Sequence, residues 1–98
     1  MNIVTITDGS GNDRNYFYAK SSVSQQLSES PRVVISLPGQ RFMTEFAGWI
    51  GRGSVKITLG HNSEVSYSAS LEQFEEDEEM LVLHFVAYNT YANGEWVT

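Results

Sequence analysis

Hydrophobic positions along this chain recur at two different periods. In "SVKITL" Val55, Ile57 and Leu59 alternate with Ser54, Lys56 and Thr58, and in "EVSYSASL" Val65, Tyr67, Ala69 and Leu71 alternate with Glu64, Ser66, Ser68 and Ser70. Successive side chains of a strand point to opposite faces, so each stretch predicts a strand with one dry and one wet face, and "GHNS" between them reads as a hairpin turn. Half-wet strands of this kind belong to an antiparallel sheet covered on one side. "MLVLHFVAY" is apolar on both faces and predicts the most enclosed strand, with "GEWVT" returning beside it after Asn93-Gly94. Near the start, "NIVTIT" and "NYFYAK" flank "DGSGNDR", whose Gly9, Gly11 and Asn12 supply turn conformations, so a β-hairpin is expected there. "RVVISL" is short and β-branched, hence another strand.

The second period is helical. Phe42, Phe46, Trp49 and Ile50 fall at i, i+4, i+7 and i+8, joined by Met43 and Ala47, which makes one apolar stripe. Pro38 suits an early helical turn and Gly51 a left-handed stop, so a principal α-helix is expected at about residues 39–50. Gly48 inside it suggests close approach to a neighbouring strand. The polar segment "SSVSQQLSESP" fits one or two helical turns or a plain loop ending before Pro31. The fold class expected is therefore α+β: an antiparallel sheet of about five to seven strands packed on one principal helix, forming a single small domain over residues 1–98.

Composition leaves that picture intact and narrows the chemistry. A chain of 98 residues with 41% hydrophobic and 18% charged residues can bury one modest core without help. It has no cysteine, which excludes disulfide staples, a thiol nucleophile and cysteine-rich zinc sites. Its first residues, "MNIVTITDGSGN", lack a basic and then apolar leader, and no apolar run reaches membrane-spanning length, so a cytoplasmic location with no membrane partner is expected.

Charge changes the picture most. All six basic residues, Arg14, Lys20, Arg32, Arg41, Arg52 and Lys56, lie in the first 56 positions, whereas residues 57–98 carry eight acids and no Lys or Arg. Six of those acids, Glu72, Glu75, Glu76, Asp77, Glu78 and Glu79, fall within eight positions. One reading makes them gatekeepers that keep the very apolar strand after them from pairing with other chains. A sharper one notes their density: a helical run would carry a charge every ~2 Å, close to the ~1.7 Å of duplex DNA, and an extended run one every ~4 Å. Carboxylates ~7 Å apart in water repel by only ~0.6 kcal/mol, so the block is tolerable alone and more favourable against an arginine-rich surface.

Other candidate chemistry is thin. Asp8, Ser10 and Asn12 sit like the first ligands of a calcium loop, but Asp13 stands where that loop needs glycine and Ala19 where it needs glutamate, so a hairpin turn is the better reading. His61 and His84 have no sequence partner that suggests a metal ligand set, and no serine sits in a Gly-x-Ser-x-Gly elbow. No catalytic residue, metal or other cofactor is expected. The expected function is instead a non-catalytic acidic module that occupies a basic, nucleic-acid-binding surface of a partner protein without contacting nucleic acid itself. In type it resembles the compact inhibitors that phage and mobile elements use in counter-defence, anti-CRISPR proteins included. The six clustered acids would be the charged contacts, with Tyr88, Tyr91 and Trp96 as aromatic anchors. The alternative is a structural subunit of a virion or secretion system that self-associates, as a homodimer or larger, through sheet edges; an enzyme with an unrecognised site ranks third.

Overall fold

The computed structural model describes residues 2–24, 30–59, 65–76, 79–92 and 95–97, with backbone alone for 45, 65, 89–92 and 95–97. Among the described residues eight strands form one antiparallel sheet: β1 (Ile3–Asp8), β2 (Asp13–Phe17), β3 (Lys20–Ser24), β4 (Arg32–Pro38), β5 (Val55–Leu59), β6 (Val65–Glu76), β7 (Met80–Ala92) and β8 (Glu95–Val97). Their order is β2-β1-β5-β6-β7-β4-β3, with β8 also paired to β7. The two ends of this path, β2 and β3, are consecutive in the chain and separated only by Tyr18 and Ala19. Tyr18 N–H donates to Asn2 O at 3.1 Å on one side, and Ala19 N–H donates to Ser36 O at 2.8 Å on the other. Residues 13–24 thus form one bent strand that leaves β1 and joins β4, and this exchange of partners rolls the sheet into a barrel. Closing a sheet in this way hides edges that would otherwise pair with other chains.

Alternation fills the inside. Val4 and Ile6, Val33, Ile35 and Leu37, Val55, Ile57 and Leu59, and Leu81, Leu83, Phe85 and Ala87 are all buried, each one position removed from a wetter neighbour. The β1–β2 hairpin is stitched on its outer face, where Thr5 Oγ1 donates to Asn15 Oδ1 at 2.8 Å and Thr7 Oγ1 to Asp13 Oδ1 at 2.6 Å. β7 pairs along both edges, with β6 on one side and β4 then β8 on the other, but of its two apolar faces only one is buried, Val82, His84, Val86 and Tyr88 being half-buried. The expected turns at 60–63 and 93–94 fall outside the described residues, although the strands flanking each pair antiparallel.

The expected α+β architecture is wrong. Among the described residues there is no α-helix for the sheet to pack on, and strands make up nearly all of the regular structure. Residues 39–43 are irregular, and a single 3₁₀ helix covers Thr44–Trp49. Of the expected apolar stripe only Phe42, Phe46 and Trp49 turn inward, while Met43, Ala47 and Ile50 are exposed. With three residues per turn, side chains at i and i+3 eclipse, and the Phe46 and Trp49 rings stack with centroids 4.3 Å apart. An α-helical spacing over so short a segment, interrupted by Gly48, does not separate the two forms. The rings plug the barrel: Phe46 is fully buried, Tyr16 on β2 meets it edge-on at 6.1 Å, and Trp49 packs on Phe85 of β7 at 6.2 Å. Gly48 makes no close approach, since a Cβ built there meets nothing within 4 Å. The segment read as helical turns or loop begins as strand β3; residues 25–29 lie outside the described set. No described helix is long and apolar enough to cross a membrane.

Candidate protein-binding surface

The acidic run is built into a hairpin that outgrows β5 on one side, while β4 follows β7 as far as Met80 on the other. β5 pairs with β6 only as far as Ala69, while β6 and β7 continue together to Glu76 and Leu81. Beyond Ala69 the free side of β6 meets the plug segment instead of a strand. Phe42 stacks on Phe74 with centroids 3.8 Å apart and planes 6° from parallel, and Phe42 N–H donates to Glu76 Oε1 at 3.1 Å. Gly39, in the left-handed region at φ 74°, donates its N–H to Glu79 O at 2.8 Å. The base of the acidic turn is therefore tied to the chain that follows β4.

A bulge arranges the carboxylates. Leu71 pairs with Phe85 and Gln73 with His84, so Glu72 is the extra residue on β6; it follows inward Leu71 onto the outer face, and the bulge then brings Phe74 and Glu76 to the side of Leu83 and Leu81. On the outer face Arg32 Nη1, reaching across β7 from β4, donates to Glu72 Oε2 at 2.5 Å. Glu75 Oε2 lies 3.5 Å from His84 Nε2, a buried nitrogen with no hydrogen-bond partner among the described residues. Glu72, Glu75, Glu76 and Glu79 are all exposed, and the first three are extended along a strand, so the helical, DNA-like charge spacing does not arise in the described part of the run. Asp77 and Glu78 lie outside the described residues.

The expected aromatic anchors fare differently. Tyr88 belongs to the outer face of β7, where its hydroxyl is 3.0 Å from Ser70 Oγ and the Arg52 guanidinium sits 5.3 Å over its ring, so its contacts are with its own chain. Tyr91 and Trp96 face each other in the β7–β8 pairing, but their side chains lie outside the described residues. Sequence reasoning missed Phe42 and Phe74, which do flank the acids. The available signal was Phe74 itself, the single aromatic within "EQFEEDEE".

Two grooves lie apart from this hairpin. One of about 610 Å³ runs along the closure seam beside Asn2, Tyr18, Lys20, Ser22 and Ser36. The other, of about 430 Å³, is lined by Asp8, Ser10, Arg14, Trp49 and Ser54. Neither lining includes a histidine or a pair of carboxylates, the usual groups for proton transfer. Asp8 serves its own turn: Asn12 N–H and Ser10 N–H donate to Oδ1 at 3.0 and 2.9 Å. The Asn12 bond leads the causes that hold the Asp8 carboxyl below its ordinary value of 3.8. His61 lies outside the described residues, and among those described no three His, Asp or Glu side chains gather as a ligand set.

No protein-family model matches the chain, and no curated protein matches it. Its fold is similar to the crystal structure of a "putative oxidoreductase" from Sinorhizobium meliloti 1021, with a TM-score of 0.52 at 11% sequence identity. The match takes in 99% of this chain and 48% of that one, so the chain spans about half the length of that protein. At this identity the likeness concerns the fold alone.

Proposed function

We propose that this chain is a non-catalytic protein-binding module whose acidic β6–β7 hairpin docks on a basic surface of a partner protein. The observation that carries the reading is the hairpin's construction: its end stands beyond β5, is held beside the turn by Phe42 and Gly39, and exposes Glu72 and Glu75 on the outer face and Glu76 and Glu79 next to the turn. A pinned array loses little freedom on binding, and like charges on one hairpin steer a cationic partner toward it.

Arg32 tempers the charge at Glu72, and an exposed pair of this kind exchanges readily with outside cations. Inhibition by occupancy would follow wherever the covered surface normally holds nucleic acid; a counter-defence role of that kind rests on charge alone. Self-assembly through sheet edges is served less well, since the two ends of the sheet are joined through Tyr18 and Ala19. The test is a pull-down with immobilised protein at two salt concentrations. Basic proteins should be retained at low salt, released at high salt, and lost with the combined Glu75→Gln, Asp77→Asn, Glu78→Gln, Glu79→Gln variant. Retention of proteins that are not basic, or equal retention by the variant, would refute the proposal.

A further inference from the structure

The aromatic stack at the rim narrows the kind of cation that the hairpin takes. Phe74 occupies a position opposite inward-facing Leu83, yet it is 42% exposed where β5 no longer runs beside β6. Phe42 covers the ring at 3.8 Å, and Glu76, paired to Leu81, stands on the same face of β6 as Phe74, whereas Glu75 lies on the other face beside His84. An exposed ring with a carboxylate on its own face is a poor seat for an anionic or purely apolar group. It suits a planar cation that lies against the ring while its N–H groups point at Glu76, which describes a guanidinium better than an ammonium. A carboxylate offers about four acceptor sites, so the Phe42 N–H bond to Glu76 leaves capacity for such a donor. The chain uses the same chemistry on itself, with Arg52 over the Tyr88 ring and Arg32 on Glu72.

We infer that Phe74, with Glu76, forms an arginine-reading site, so the partner segment taken by the acidic hairpin presents an arginine side chain that stacks on Phe74. The inference rests on the acidic-docking reading above and adds selectivity to it. Two nonapeptides, oligo-arginine and oligo-lysine, carry equal charge and separate the two claims. At about 50 mM salt, where surface electrostatics are weakly screened, the arginine peptide should bind about ten-fold more tightly, as expected for a partly desolvated cation–aromatic contact.

Phe74→Leu should bring the two peptides within about two-fold of each other by weakening the arginine peptide alone. Phe74→Tyr, which keeps the ring, should preserve the preference, and thermal unfolding of both variants would show that the fold survives. Equal binding of the two peptides by the unaltered protein, or a preference that persists in Phe74→Leu, overturns the arginine site and leaves acidic docking standing. Binding of neither peptide overturns both.

Discussion

Arg32 on β4 grips Glu72 on β6 across the full width of the intervening strand β7, at 2.5 Å between Nη1 and Oε2. Glu72 follows inward-facing Leu71 onto the outer face, the side of the sheet that Arg32 also occupies. The two side chains are 56% and 45% exposed, so solvent and salt screen the contact. A double-mutant cycle with Arg32→Ala and Glu72→Ala, read by urea unfolding, should give a coupling of about 0.2–1 kcal/mol that shrinks as salt is added. A coupling well above that range would mean the pair organises the hairpin rather than decorating it.

The plug should matter far more. Phe46 is completely buried and touches Tyr16, Phe42 and Trp49. Truncation to alanine removes the stopper of the barrel and should cost about 3–5 kcal/mol of unfolding free energy. Phe17→Ala, at a ring 60% exposed on β2, should cost less than about 0.5 kcal/mol. Chemical denaturation of the two variants side by side checks the contrast.

Two glycines near the plug predict opposite outcomes. Gly39 is left-handed at φ 74° and has open space where a methyl group would stand, so Gly39→Ala meets backbone strain alone, about 1–2 kcal/mol. Gly48 also faces open space but is not at positive φ, so Gly48→Ala should be neutral or stabilising by up to about 1 kcal/mol. Melting temperatures that move in the same direction would contradict these assignments.

Asp8 supplies a pH signature. Its carboxyl is held below 3.8 chiefly by the Asn12 backbone N–H, so the folded state releases the proton more readily than the unfolded chain. The associated stability is fully present above the unfolded value and is lost as pH falls through the depressed folded value. The stability gap between the natural protein and Asp8→Ala should therefore be constant near neutrality and narrow below about pH 4. A gap that widens on acidification would reverse the sign of this effect.

Much of the sheet was legible because alternation survives in single strands: Val55, Ile57 and Leu59 point inward as their spacing required, and the Asp8–Asp13 turn closes a hairpin. The closure of the barrel was not. It depends on Tyr18 and Ala19 turning to a new partner strand, and nothing in two residues encodes which partner that is. The helix expected over 39–50 failed because Phe46 and Trp49 are three apart, a spacing that serves α and 3₁₀ turns alike. On the candidate surface the charges were visible at once, whereas the Arg32 partner lies forty positions away and the Phe42–Phe74 stack thirty-two, distances that only the fold brings together.

Backbone amide shifts followed by NMR while the oligo-arginine nonapeptide is added test the central claim most directly. If the acidic hairpin is the docking surface, the largest changes cluster at 71–76, 79–80 and Phe42, and they fade as salt rises. Changes centred on the β1–β2 hairpin or on the Lys20 groove, with the acidic hairpin silent, would contradict it.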